Sequence, residues 1–423
     1  MMGRQFSNFV FIALVLLSSC YSSKKTQSEP SIPIVDPVRT SLDTVTFFSS
    51  GDLPIDTIGS DNFSLELQSD STSKGDSLKK GIDEMLFDEM LVKDEIGTDT
   101  ICILGSGDIM PGTNYPDSSY LPPGNDCSRL FQAVAGIIQS ADVSFGNLEG
   151  VFCSEGGKPK ECRDPKVCYV FRLPDSYLEC ILDAGYDVLS VANNHVNDFG
   201  TEGRISTAKH LQDAGVPFAG FRSFPSTIFE KDGIRYGFAA FAPHIGTVNL
   251  KDYDGAADIV AGLDSVCDIV IVSFHGGAEG RDYQNVPCTD EEYLGYNRGN
   301  VCKFAHSVVD AGADVIFGHG PHVTRAMELY KGRLISYSLG NFCTYARFNL
   351  SGPNGIAPIV KVYTNRKGEF LKGQVIPVYQ SGEGGPRPDP QRRAITKLRE
   401  LTLMDFPETD LIIGDDGVIS IKN

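Results

Sequence analysis

Between Ile101 and Tyr363 short apolar runs recur, each about one strand long, with segments of helical character between them. The clearest is Cys267-Asp-Ile-Val-Ile-Val-Ser-Phe274, apolar at nearly every position. A strand of that composition has to be covered on both faces, as a sheet flanked by other layers allows. Strands are expected at 101–104, 142–145, 186–191, 235–241, 267–274, 314–317, 334–338 and 358–363, and helices at 127–139, 201–214 and 301–310. Strands alternating with helices predict a layered α/β domain. Such domains place ligands just beyond the carboxyl ends of their strands.

The flanking segments differ in composition. Arg4, the apolar run 9–17 and then Leu17-Ser18-Ser19-Cys20 form a basic start, a short hydrophobic stretch and a small-residue cleavage site. Residues 1–20 therefore read as an export signal, and the run is too short to span a bilayer comfortably. Its end resembles a bacterial lipobox, with Cys20 as the lipidated first residue of the mature protein. The expected location is the cell envelope, outside the cytoplasm, with attachment to the membrane through acyl chains. Residues 21–98 are rich in Ser, Thr, Asp, Lys and Pro and are expected to be a disordered tether. An amphipathic helix is the expectation within it, at 77–96. The domain proper is expected over 99–385, followed by a peripheral C-terminal tail at 386–423.

Charge limits the partners. Lys and Arg number 37 against 55 Asp and Glu, a formal charge of −18, which argues against nucleic-acid binding. An anionic substrate would need a local positive centre, such as bound metal ions. Export also permits disulfides. Cys153, Cys162 and Cys168 share one Gly/Lys/Pro-rich loop, where a local bridge is expected, whereas Cys102 and Cys267 lie in apolar runs and read equally as buried thiols or as bridged.

Residues that bind metals recur where the apolar runs end. Asp108 ends the first run, Asn147 and Glu149 the second, and Asn194 and His195 the third, with Asp198 three residues on. His275 ends the long buried run, and His319 and His322 the next. Singly, each has an ordinary reading as a helix cap, a turn residue or a hydrogen-bonded core histidine. Five strand ends of this kind in one chain point to a common site. Carboxylates, an amide and imidazoles suit Mn, Fe or Zn better than Mg or Ca. Two such ions would polarise a phosphoryl oxygen. Arg281, Arg298 and Arg325 follow these motifs and read either as grips for an anionic substrate or as ordinary surface arginines.

Taken in order, the motifs resemble those of the CapA-type capsule or poly-γ-glutamate synthesis family. The matching stretches are Gly107-Asp108-Ile109-Met110, Gly146-Asn147-Leu148-Glu149, Asn193-Asn194-His195 with Asp198-Phe199-Gly200, His275-Gly276-Gly277-Ala278-Glu279, Gly318-His319-Gly320-Pro321-His322-Val323 and Tyr337-Ser338-Leu339-Gly340-Asn341-Phe342. The resemblance implies a four-layer α/β/β/α sandwich similar to the calcineurin-like metallophosphatases, with two divalent metal ions. It implies Asp108, Glu149, Asn194, His275, His319 and His322 as metal ligands and His195 with Asp198 as the catalytic pair. Asn147, Glu279 and Asn341 would support the ligands, Glu279 by orienting an imidazole. Metallophosphatases carry Asp-x-His on the first strand, and here Met110 stands at the histidine position. Gly320 stands where a third histidine is common in the family.

Three functions follow from the resemblance. The first is an exported protein that synthesises or handles an anionic polymer, working with polymer-synthesis partners. The second is an extracytoplasmic metal-dependent phosphatase or phosphodiesterase acting on a phosphoester. The third is a non-catalytic surface module that keeps the fold.

Overall fold

The structure is a computed structural model that describes residues 99–162 and 168–422. The export signal, Cys20, the tether and the helix expected at 77–96 lie outside the described residues.

Strands β1 (Ile101–Met110), β2 (Val143–Leu148), β3 (Val188–Ser190) and β4 (Phe218–Ala219) run parallel. Strands β5 (Ser226–Lys231), β6 (Ile234–Phe241), β7 (Ile269–His275), β8 (Val315–His319), β9 (Met327–Tyr330) and β10 (Arg333–Ser336) form a second sheet in the order β9-β10-β8-β7-β6-β5. The chain then returns to the first sheet with β11 (Asn341–Thr344), β12 (Ile359–Thr364), β13 (Phe370–Ile376), β14 (Leu411–Ile413) and β15 (Val418–Ile421). That sheet reads β14-β15-β13-β12-β1-β2-β3-β4, and β11 pairs in parallel with the end of β1. The helices are α1 (Ser128–Phe131), α2 (Ala135–Gln139), α3 (Tyr177–Asp183), α4 (Gly200–Asp213), α5 (Tyr253–Asp264), α6 (Val301–Asp310) and α7 (Arg393–Asp405).

The layers follow from the two-residue period of the strands. On β1, Ile101 and Ile103 face the second sheet, while Leu104 and Ile109 face the helical side with Phe131, Ile138, Ile181 and Leu211 of α1 to α4. On β7, Ile269 and Ile271 point into the same inter-sheet core, and Val270, Val272 and Phe274 point outward onto Val260 of α5 and Phe304 of α6. Strands apolar on both faces can be buried only between two coverings. The chain therefore forms the expected four-layer α/β/β/α sandwich. Phe145 and Phe317 stack across the seam with ring centroids 5.3 Å apart. Gly105 makes room for them, since a Cβ there would lie 2.4 Å from the Phe317 ring.

Several expectations change. The helix expected at 127–139 is two short helices, interrupted at Val134, whose φ of −129° is not helical. The tail expected to be peripheral is part of the core. Ala394, Ile395 and Leu398 of α7 and Leu411, Ile413 and Ile419 of β14 and β15 are buried between the sheets. Its apolar residues are spaced among Arg, Lys, Glu and Asp, so the segment looks polar in composition although one face is buried. Disulfides join Cys127 to Cys180, Cys162 to Cys168 and Cys288 to Cys302. Cys102 and Cys153 are buried thiols, and Cys267 is half-buried. Among the described residues no helix is long and apolar enough to cross a membrane.

The packing of α7 makes a measurable difference. Leu398→Ala, at a fully buried site, is expected to lower unfolding free energy by about 2–5 kcal/mol in urea denaturation. Met404→Ala, on the exposed side of the same helix, is expected to stay within about 0.5 kcal/mol of the parent.

Candidate metal centre

The site is assembled at the carboxyl ends of β1, β2, β7 and β8 and in the loop after β3. Asp108 is brought into place by a close backbone approach. Its N–H donates to the Gly340 carbonyl at 2.9 Å, and a Cβ on Gly107 would fall 2.0 Å from that same oxygen. Glu149 is fixed by its N–H donating to the Ile109 carbonyl at 2.9 Å. In β8, His319 lies in register beside His275 of β7. Beyond it, Gly320 turns the chain at φ 114°, so near Gly276 that a Cβ would lie 2.6 Å from the Gly276 carbonyl. No histidine fits there, which explains the glycine. The turn continues through His322, itself left-handed at φ 56°, and aims its ring back at the strand ends.

Asp108 is the hub. One carboxylate oxygen contacts His319 Nδ1 at 3.0 Å and accepts from Asn147 Nδ2 at 2.8 Å, and the other contacts His322 Nδ1 at 2.9 Å. On its other nitrogen His322 lies 3.5 Å from Glu149 Oε1. Ligand atoms of Glu149, His275 and His322 all fall within 4.8 Å of one another. Asn193 stiffens the floor, donating to the Asn147 side chain at 3.2 Å and the Leu148 carbonyl at 2.8 Å, and accepting from the His195 N–H at 3.0 Å. Asn341 donates to the His322 carbonyl at 3.2 Å, so it braces the backbone of that turn.

Burial sets the electrostatics. Asp108 would be raised by burial, but its hydrogen bonds to His319 and His322 prevail and hold it well below the usual carboxylate range. Glu149 is pushed well up, mainly by burial. Burial opposes protonation of His322, yet Glu149 and Asp108 together push it up to about 10. His275 is pushed well down by burial.

The donor set fits a cation. Both oxygens of Glu149, both nitrogens of His275, Nε2 of His319 and Oδ1 of Asn194 are buried without a hydrogen-bond partner. An unsatisfied buried polar group costs about 1–3 kcal/mol. Unpartnered atoms on Glu149, His275 and His319, beside His322, are a poor arrangement for stability alone, and a divalent ion would satisfy several of them together.

Beside this cluster, His195 Nδ1 contacts Asp198 Oδ2 at 2.7 Å, and its Nε2 lies 4.0 Å from Glu149 Oε1. Asp198 is also held by the Phe171 N–H at 2.6 Å and by Lys160 Nζ at 2.5 Å. Phe171 stacks on the His195 ring at 4.1 Å and on Phe348 at 5.3 Å, forming an aromatic cover. Lys160 and Phe171 come from the cysteine-bearing loop after β2, whose ends are drawn together by the short pair Val151–Phe152 and Arg172–Leu173. No motif marks either residue, so sequence reasoning missed both, and it also missed His244, whose ring meets His275 edge-on at 5.9 Å. One role changes. Glu279 pairs with Arg298 at 2.7 Å, whereas the carboxylates that hold imidazoles are Asp108 and Asp198.

Residues 102–346 match the sequence profile of the family described as bacterial capsule synthesis protein PGA_cap. The capsule biosynthesis protein CapA of Bacillus anthracis is 29% identical over 257 residues, covering 56% of this chain and 58% of that protein. The PGA biosynthesis protein CapA of Bacillus subtilis is 28% identical over 253 residues, covering 56% and 61%. The chain thus spans less than two thirds of the length of either relative. Among solved structures, a 5'-nucleotidase precursor from Thermus thermophilus aligns over 71% of this chain and 58% of its own, at 11% identity and a TM-score of 0.37. A similarity of that size says nothing about the site.

The floor of the site can be tested apart from any ligand. Asn193→Ala leaves the Leu148 carbonyl and the His195 N–H without partners. It is expected to lower unfolding free energy by about 1–3 kcal/mol in urea titration, with an unchanged circular-dichroism spectrum.

Proposed function

The chain belongs to the bacterial capsule synthesis protein PGA_cap family, and on that basis we propose that it serves in the synthesis or handling of an anionic envelope polymer, capsule or poly-γ-glutamate, through a two-metal, phosphoesterase-like site. The observation that carries this reading is the set of unpartnered buried ligand atoms gathered from three strand ends and one loop. Glu149, His275 and His322 would hold one ion, and Asp108, His319 and Asn194 the adjoining one. When bound, such ions supply concentrated positive charge for a phosphoryl or carboxylate group. Such a centre would offset the chain's net charge of −18 locally for an anionic substrate.

The chain's own residues supply the remaining functions. Asp198 fixes the His195 ring through Nδ1 and leaves Nε2 directed toward Glu149, where it can give or take a proton at a bound substrate. Burial pulls His195 below its ordinary value while Asp198 opposes that shift, which favours the neutral ring, a form able to accept a proton. Phe171 covers one ring face and restricts water. This dyad favours a metal-dependent phosphodiesterase or phosphatase over a non-catalytic module as the second reading. Export and attachment through a lipidated Cys20 belong to the same proposal, with the residues before 99 acting as a spacer from the membrane. Partners in a polymer-synthesis complex complete it.

Elemental analysis of protein loaded with Mn, Fe or Zn is expected to show about two ions per chain, and Asp108→Ala is expected to lose most of them. His195→Ala is expected to keep its metal while losing chelator-sensitive hydrolysis of nitrophenyl phosphodiesters by about a hundredfold or more. A parent chain that takes up no divalent metal would overturn the proposal. For attachment, Cys20→Ala is expected to move the protein from the detergent-extracted membrane fraction to the soluble one, and an unchanged distribution would refute lipidation at that residue.

A further inference from the structure

Of the three arginines that follow the metal motifs, the structure separates two. Arg325 is saturated: it bonds Glu291 at 2.7 and 2.8 Å through two nitrogens, and the Tyr283 and Ala278 carbonyls at 2.8 and 3.2 Å. Arg298 is also buried, at 5% exposure, but only half used. Its Nη1 donates to Glu279 Oε1 at 2.7 Å, whereas Nε and Nη2 have no partner.

Those two atoms form one edge of the guanidinium plane. That edge carries two parallel N–H bonds and matches a pair of oxygens on a single carbon or phosphorus. A buried arginine with this edge unfilled is costly unless something binds there. The residue also lies next to the metal ligands. The Gly277 N–H, two residues after His275, donates to the Arg298 carbonyl at 3.1 Å. His244, whose Nε2 is likewise buried and unpartnered, packs on His275 from its own loop.

We propose that the free Nε–Nη2 edge of Arg298, flanking His275, is a second anion subsite that takes the paired oxygens of one carboxylate or phosphoryl group of the substrate. It rests on the functional reading above and deepens it, by giving the substrate a second oxyanion beside the one the ions would hold. Glu279 holds Nη1 and leaves the opposite edge free for a ligand. Polymer carboxylates and phosphoryl groups offer the same oxygen pair, and binding experiments can distinguish the two sources.

The full chain would be titrated by calorimetry with a γ-linked glutamate oligomer and, separately, with inorganic phosphate, each with and without added Mn. Arg298→Lys keeps the charge and the pairing with Glu279 but removes the two-pronged edge. It is expected to weaken binding of one probe by about tenfold or more. Loss confined to the oligomer assigns the subsite to polymer carboxylates, and loss confined to phosphate assigns it to phosphoryl groups. Glu279→Gln keeps an acceptor for Nη1, removes the competing charge, and is expected to tighten the same probe severalfold. Unchanged affinity for both probes in folded Arg298→Lys overturns the subsite, as does lost binding in folded Glu279→Gln. Metal content measured on the same samples separates the two failures. A metal-free parent sinks the functional reading, whereas the ratio of parent to variant affinity decides the subsite.

Discussion

Asp108 belongs to the first sheet, and the two imidazoles that contact its carboxylate belong to the second sheet and the turn beyond it. This one buried group joins the two halves of the sandwich at the edge where the strands end. Without an opposing cation a carboxylate at zero exposure would be strongly destabilising. With His319 and His322 in contact it stays ionised, and with Asn147 donating to it the group is well fixed. The rest of the site depends on that fixed point. His322 can reach Glu149 because Asp108 holds its other nitrogen. Its left-handed turn is possible because Gly320 lies against Gly276.

Much of this is legible in the sequence because the chemistry and the strand period coincide. An apolar run that ends in Asp, Asn, Glu or His places a polar group at a sheet edge, and Asp108, Glu149, His275 and His319 all announce themselves in that way. The strands at 235–241 and 267–274 and the helix Val301–Asp310 are visible from their patterns, and the last from its apolar face capped by Asn300. What the pattern does not carry is orientation. The family resemblance implies Glu279 as a partner for an imidazole, yet the turn through Gly277 sends it to Arg298. Lys160 reaches Asp198, and Phe171 the His195 ring, from a loop whose composition reads only as irregular. The tail misleads for another reason: in α7 burial falls on Ala394, Ile395, Leu398 and Leu401, while charged neighbours dominate the composition.

The arrangement also shows how an acidic protein can present a site to an anion. The chain carries a net charge of −18, whereas the strand-end corner gathers imidazoles, an arginine and a lysine around its carboxylates. In such a corner low dielectric strengthens each interaction. The local field is therefore set by a few buried side chains and not by the overall charge.

The contacts of Asp108 close loops of 211 and 214 residues. Neither the stretch that supplies the carboxylates nor the stretch that supplies the imidazoles contains a complete coordination set. A polypeptide threaded amino-terminus first would present Asp108 long before its counterparts arrive. Long-range closure of that kind is slow compared with local helix formation. The corner is therefore completed late, once both stretches have come together, and a chain cut short before Val315 would carry Asp108 without either of the imidazoles that meet it.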